Sequence, residues 1–340
     1  MDLPFAPPLD PMLAKLADDL PEGAPWIYEP KWDGFRALLF HGDTVAIQSR
    51  DGRDLVRYFP ELVDLVTGGT PPGSVLDGEV VVAARGRFDF DSLSLRLHPA
   101  ASRVERLAGD IPAALVLFDV LALEGEDVTA RPLAERLEQL ERLAPLPKDP
   151  AEVLDALAAE PSGILATPRT NDVATARPWL TAFEERGLDG VVAKRLDRPY
   201  LFGKRDMVKV KPRRTADCVV GGFRRAKSGE GVGSLLLGLY DDAGVLQYVG
   251  HTSGLKAAER LAVRERLRPL EGGTSFGGGR TPGGPSRWAA GRDPAWVPVD
   301  PRLVVEVRYD RIMNGRFRHA VGLERWRDDK RPEECTFEQV

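Results

Sequence analysis

The eight residues Glu29-Pro30-Lys31-Trp32-Asp33-Gly34-Phe35-Arg36 constrain this chain more than any other stretch. Trp26-Ile27-Tyr28 before them reads as a strand end, and Ala37-Leu38-Leu39-Phe40 after them as the next strand. Pro30 and Gly34 punctuate the turn between the two. The fold must therefore present a lysine on a tight turn between strands. Such a lysine becomes a nucleophile once its ammonium sheds a proton. Neighbouring cations and partial burial are expected to favour that neutral amine. Most turn lysines are merely solvated, so Lys31 alone decides little. Lys31, Asp33, Gly34 and Arg36 together are four fixed residues in six, matched by chance in roughly one chain of this length in several hundred.

The pattern around this turn is mixed. Residues 44–48 read as a strand closed by the turn Ser49-Arg50-Asp51-Gly52. Leu55, Phe59, Leu62, Val63 and Val66 recur at helical spacing. A strand is expected over 76–83 with Asp77-Gly78-Glu79 at its start, a helix over 90–106 and a buried strand over 114–120. Amphipathic helices are expected over 131–143 and 173–186, and short strands over 190–193 and 207–211. On the last of these, Lys209 and Lys211 are two apart and project from one face, while Val208 and Val210 take the other. Strands and helices interleave irregularly, which predicts an α+β domain over residues 1–212. Pro212-Arg213-Arg214-Thr215 breaks the pattern and marks the expected boundary and hinge.

Beyond it, strands are expected over 218–223, 234–240 and 245–251. The last two are joined by a hairpin turn at Asp241-Asp242-Ala243-Gly244. A helix over 254–268, a Gly/Pro-rich stretch over 271–286 that is expected to be mobile, and a strand over 303–309 follow. Several short strands with one helix predict a small OB-fold β-barrel over residues 213–340.

Composition excludes some classes. The 340 residues contain no run of eighteen apolar residues and no N-terminal basic-then-apolar signal, so neither a membrane span nor secretion is expected. Two cysteines, Cys218 and Cys335, are too few for a four-cysteine zinc site, and the cytoplasm (with the nucleoid) is the expected compartment. The net charge of −5 argues against nucleic acid only until it is divided along the chain. Residues 1–212 hold 25 Lys/Arg against 35 Asp/Glu, residues 213–330 hold 21 against 14, and the last ten hold one against three. A basic block following an acidic one suggests two modules with different partners.

The octet resembles the signature of the covalent nucleotidyltransferases, the superfamily of DNA ligases, RNA ligases and mRNA capping enzymes. Further segments resemble that superfamily's other motifs, in its order. They are Ser49-Arg50-Asp51-Gly52, Asp77-Gly78-Glu79, Phe118-Asp119, Gly187-Leu188-Asp189-Gly190-Val191-Val192-Ala193-Lys194, Lys209-Val210-Lys211 and Arg325-Trp326-Arg327-Asp328-Asp329-Lys330. The resemblance spans residues 10–332. It is nearest to ATP-dependent DNA ligases, of the bacterial stand-alone ligase C type or the ligase domain of ligase D. The Met1 start favours the free form. One departure stands out: the fourth motif usually begins with Glu, and Asp189 occupies that place.

The resemblance implies an α+β nucleotidyltransferase (adenylation) domain followed by an OB-fold barrel. It implies that Lys31 is the catalytic nucleophile and carries AMP. Glu29, Arg36, Arg50, Glu79, Phe118, Lys194, Lys209, Lys211, Arg327 and Lys330 would bind ATP, with Phe118 as the stacking ring and Arg327 and Lys330 on the leaving phosphates. Glu79 and Asp189 would hold Mg²⁺ or Mn²⁺, Asp189 with one methylene less reach than Glu. The implied activity is sealing of nicks between 3′-hydroxyl and 5′-phosphate in double-stranded DNA, in repair or recombination. A monomer is expected, with repair or end-joining proteins as possible partners. An RNA ligase or capping guanylyltransferase using the same lysine chemistry is the alternative, and a non-catalytic end-binding module is a second.

Overall fold

The computed structural model describes residues 2–182, 185–212, 214–226, 231–277, 282 and 295–340. They form two compact units, Met1–Pro212 and Arg213–Val340.

The first unit is built on two sheets. One has four strands in the order Leu13–Ala17, Arg205–Val210, Val191–Arg195, Trp26–Pro30. Its first pair is parallel and the other two are antiparallel. The other sheet runs Ile164–Ala166, Ala114–Leu123, Ser74–Val81, Phe35–His41, Val45–Ser49. The octet thus leaves one sheet at Pro30 and enters the other at Phe35, so Lys31 sits where the chain crosses between them. Gly34 makes the crossing possible: a Cβ there would lie 2.2 Å from Val80 O.

Alternation, shifted where the pairing of Ser74–Val81 with Ala114–Leu123 is irregular, explains the packing. Leu38, Phe40, Val75 and Leu121 from the second sheet meet Met207 and Val192 from the first. The opposite face of the second sheet, through Leu39, Leu76 and Leu117, is covered by Leu62 and Val66 of the helix Pro60–Gly69 and by Leu133, Leu137 and Leu140 of Leu133–Leu143. Burying such side chains contributes about 1.5–3 kcal/mol each.

The second unit is a closed barrel. Arg214–Arg225 pairs with Val232–Tyr240, that with Leu246–Ser253, that in parallel with Val321–Trp326, and that with Val304–Tyr309, which returns to Arg214–Arg225. Closure removes the free edges of the sheet. The helix Ala257–Leu267 follows the third strand. This is the OB topology.

Several expectations need correction. The helix expected over 173–186 is only Val173–Ala176 followed by a single tight turn, Arg177–Leu180, because Pro178 has no N–H to continue it. Phe183 and Glu184 of that stretch lie outside the described residues. The helix over 90–106 is two helices, Phe90–Leu95 and Ala101–Asp110, interrupted around Pro99. Asp77-Gly78-Glu79 lies well inside Ser74–Val81 rather than at its start. Half of the stretch 271–286, expected to move, is outside the described residues. The strands Leu13–Ala17, Ile164–Ala166 and Val321–Trp326 and the helix Pro150–Ala159 were not anticipated. Among the described residues no helix is long and apolar enough to cross a membrane. Both cysteines are buried and free.

Candidate active site

Two backbone hydrogen bonds hold the lysine turn in place. Lys31 N–H donates to Gly190 O at 2.8 Å, and Asp189 N–H donates to Lys31 O at 2.8 Å. The same reciprocal pair brings the Asp189 side chain to the lysine. Lys31 Nζ lies 2.5 Å from Asp189 Oδ2, and Lys211 Nζ lies 3.0 Å from the same oxygen. One acid therefore links two of the expected site cations.

Lys31 opens onto a cavity of about 450 Å³ whose lining includes Glu29, Arg36, Arg50, Glu79, Phe118, Lys194 and Lys209. Residues from 29 to 209 converge there because both sheets bound it. Lys211 and Asp189 join the group through Lys31. Arg327 and Lys330 belong to the second unit, where both bond to Asp217.

Each wall of the cavity has its own chemistry. Glu29 and Lys194, both buried, pair at 2.7 Å. Lys194 also donates to Phe118 O at 3.0 Å, and its ammonium is 4.5 Å from the Phe118 ring centroid. Glu29 Oε1 has no hydrogen-bond partner among the described residues. A buried carboxylate oxygen left unpaired is costly, and burial pushes the Glu29 carboxyl up despite Lys194. A donor on a bound base would relieve that cost.

Arg36 is less free than expected. Its guanidinium donates to Asp77 at 2.9 and 2.5 Å and to Met12 O at 2.6 Å. Tyr200, which no sequence signal marked, completes this brace: its hydroxyl donates to Asp77 Oδ2 at 2.6 Å and accepts from Met12 N–H at 2.9 Å. Asp77 was legible only as the first member of Asp77-Gly78-Glu79. Arg50 is exposed beside Asp51.

The electrostatics of Lys31 run opposite to expectation. Burial does pull the Lys31 ammonium down, but Asp189, Glu79 and Asp33 outweigh it, and the net shift is upward. The expectation counted neighbouring cations and missed the acids that tertiary folding brings in. Lys209 shows the behaviour expected of Lys31, lowered by burial and by Lys31 and Lys211. Burial raises Glu79 to about 7, against the pull of Lys31 and Arg36.

Two carboxylates, Glu79 and Asp189, face this group of cations, and among the described residues no cluster of three or more His, Cys, Asp or Glu could cage an ion. That donor set fits Mg²⁺ or Mn²⁺, which take one or two carboxylates and complete their shell with water and substrate phosphates.

The matches to known sequences decide the family. The ATP dependent DNA ligase domain matches residues 11–211, and the ATP dependent DNA ligase C terminal region matches residues 228–330. The chain belongs to the ATP-dependent DNA ligase family. It is 48% identical to DNA ligase C1 of Mycolicibacterium smegmatis over all of this chain and 96% of that one. To DNA ligase C of Mycobacterium tuberculosis it is 44% identical, with the same coverage. A solved structure from a study of Lig E DNA ligases superimposes with TM-score 0.58 at 20% identity, covering 94% of this chain and 99% of that one, and supports the fold. The DNA ligase assignment takes the place of the RNA ligase, capping and non-catalytic alternatives. In this ligase the adenylation domain carries the cavity, and the OB-like C-terminal region carries Arg327 and Lys330.

Proposed function

We propose that this ligase seals nicks in duplex DNA, in repair or recombination, through AMP carried on Lys31 Nζ. The observation that carries the reading is the cavity itself: Lys31, Phe118, the unpartnered Glu29 Oε1 and Lys209 share it. Phe118 stacks the adenine ring. Glu29 Oε1 accepts a hydrogen bond from the exocyclic amine of adenine, which guanine lacks at that position, and so favours ATP over GTP. Arg36, tied to Asp77, serves as a rigid floor, and Arg50 reaches the ribose or phosphates.

Lys31 Nζ gives up its proton, attacks the α-phosphorus and forms an N–P bond, while the P–O bond to pyrophosphate breaks. Asp189, 2.5 Å away, holds the ammonium in position until then. Lys209 and Lys211 offset the charge that builds on the α-phosphate, and Arg327 and Lys330 align the leaving phosphates. Glu79 and Asp189 would hold Mg²⁺ or Mn²⁺, whose charge would neutralise these acids and thereby favour the free amine on Lys31. AMP then passes to the 5′-phosphate of the nick, the 3′-hydroxyl attacks that phosphorus, and AMP departs.

Incubation with α-labelled ATP tests the first step. The wild-type protein gains label that pyrophosphate removes, and Lys31→Ala gains none and seals no nicks. Sealing by Lys31→Ala at the wild-type rate would overturn the proposal.

A further inference from the structure

We infer that Asp217 is a positioning residue for lysine adenylation, holding the Arg327 guanidinium and the Lys330 ammonium side by side as one preformed cationic pair. The inference rests on the reading above, in which those two cations align the leaving phosphates.

Arg327 and Lys330 lie just after the strand Val321–Trp326, on long side chains that would repel each other if brought together alone. Asp217 brings them together. Arg327 Nη1 donates to both of its carboxylate oxygens at 2.9 Å, and Lys330 Nζ donates to Oδ2 at 2.7 Å. The acid is itself immobilised. It sits on the barrel strand Arg214–Arg225, facing Glu306 of the neighbouring strand. The pairing with Val232–Tyr240 begins only at Val219, and the amide of Gln339 takes over at Asp217. Asp217 N–H donates to Gln339 Oε1 at 2.9 Å, and Gln339 Nε2 donates to Asp217 O at 2.8 Å.

The second acid on Arg327 behaves differently. Asp329 accepts from Nε and Nη2 at 2.9 Å each, but its side chain is 63% exposed against 12% for Asp217. Charge-assisted pairs in water are weak, and buried ones hold their geometry. An incoming phosphate can therefore replace Asp329 on the Nε–Nη2 edge, the fork suited to two phosphate oxygens, while Asp217 keeps the other end fixed. Ordering two long side chains beforehand removes an entropic cost from the adenylation step.

The test compares two reactions of the full-length enzyme: adenylation of the lysine by ATP, and closure of a nick supplied already adenylated, which needs no ATP. Asp217→Asn keeps the shape of the side chain and removes its charge. It should slow adenylation about 10- to 100-fold, chiefly through a higher KM for ATP, the range for losing hydrogen bonds between charged groups. Closure of the adenylated nick should stay within about twofold of wild type. On a background of Arg327→Ala with Lys330→Ala, adding Asp217→Asn should cause no further loss of adenylation. Wild-type adenylation by Asp217→Asn, an equal loss in both reactions, or a full additional loss on the double-variant background would each overturn the inference. Should the double variant itself adenylate normally, the role given to Arg327 and Lys330 falls first and this inference with it.

Discussion

Glu79 stands inside the strand Ser74–Val81 with its carboxyl raised by burial to about 7, from an ordinary 4.5. The sign of the consequence follows from proton counting. Between pH 4.5 and 7 the folded protein keeps a proton that the unfolded chain releases. Stability from this group is therefore complete below 4.5 and is lost as pH climbs to 7. The shift corresponds to at most about 3 kcal/mol, less whatever cavity water screens. Glu79→Gln abolishes the ionisation. Without divalent cations, the variant should melt at a higher temperature than wild type at pH 8, and the gap should close near pH 4.5. The same variant should adenylate Lys31 more slowly, since an amide is a poorer partner for a cation or ribose. Parallel melting profiles across that pH range would show that Glu79 is not held protonated. A residue kept at a cost to stability is what an active site requires and a core does not.

The turn that carries Lys31 works only because an adjoining segment allows close approach. Gly190 has φ +128°, and a Cβ on it would lie 2.1 Å from Val210 O. Gly190→Ala must therefore push Val191–Arg195 away from Arg205–Val210, at a cost of about 1–3 kcal/mol for the backbone strain alone. It should lower the melting temperature and, by loosening the Lys31–Gly190 hydrogen bond, depress adenylation more than the loss of folded protein explains. Full activity with an unchanged melting temperature would refute this account of the turn. The elements around this turn were legible because their signals are local: Pro30 and Gly34 bracket it, and short aromatic and aliphatic runs flank it. The cavity lining was legible through the order of the motifs. Three things were not. Asp189 meets Lys31 across 158 residues, and no local pattern records that pairing. Leu13–Ala17 is a strand because Arg205–Val210 offers it a parallel edge, not because its own residues alternate. Asp217 and Arg327 are 110 residues apart. Pro178, by contrast, was a visible break that helical periodicity had overridden.

For the molecule as a whole, net charge is a poor guide to partners. Residues 1–212 carry an excess of acids, yet Lys31, Arg36, Arg50, Lys194, Lys209 and Lys211 gather at one site. Residues 213–330 carry an excess of seven Lys/Arg over Asp/Glu. An enzyme that joins any nick must hold the sugar–phosphate backbone without reading bases, and phosphate contacts do that by displacing condensed counterions. Such binding weakens linearly in logarithmic terms as salt rises, with a slope of about −0.9 per phosphate neutralised. Three contacts or more imply that affinity for a nicked duplex falls at least roughly 40-fold between 50 and 200 mM salt. Titrations of the Lys31→Ala protein with nicked duplexes of unrelated sequence provide the measurement. The curves should shift together with salt and scarcely differ between sequences at a given salt. An affinity indifferent to salt, or one set mainly by base sequence, would mean that the basic block does not hold the backbone and that recognition rests on contacts to the bases.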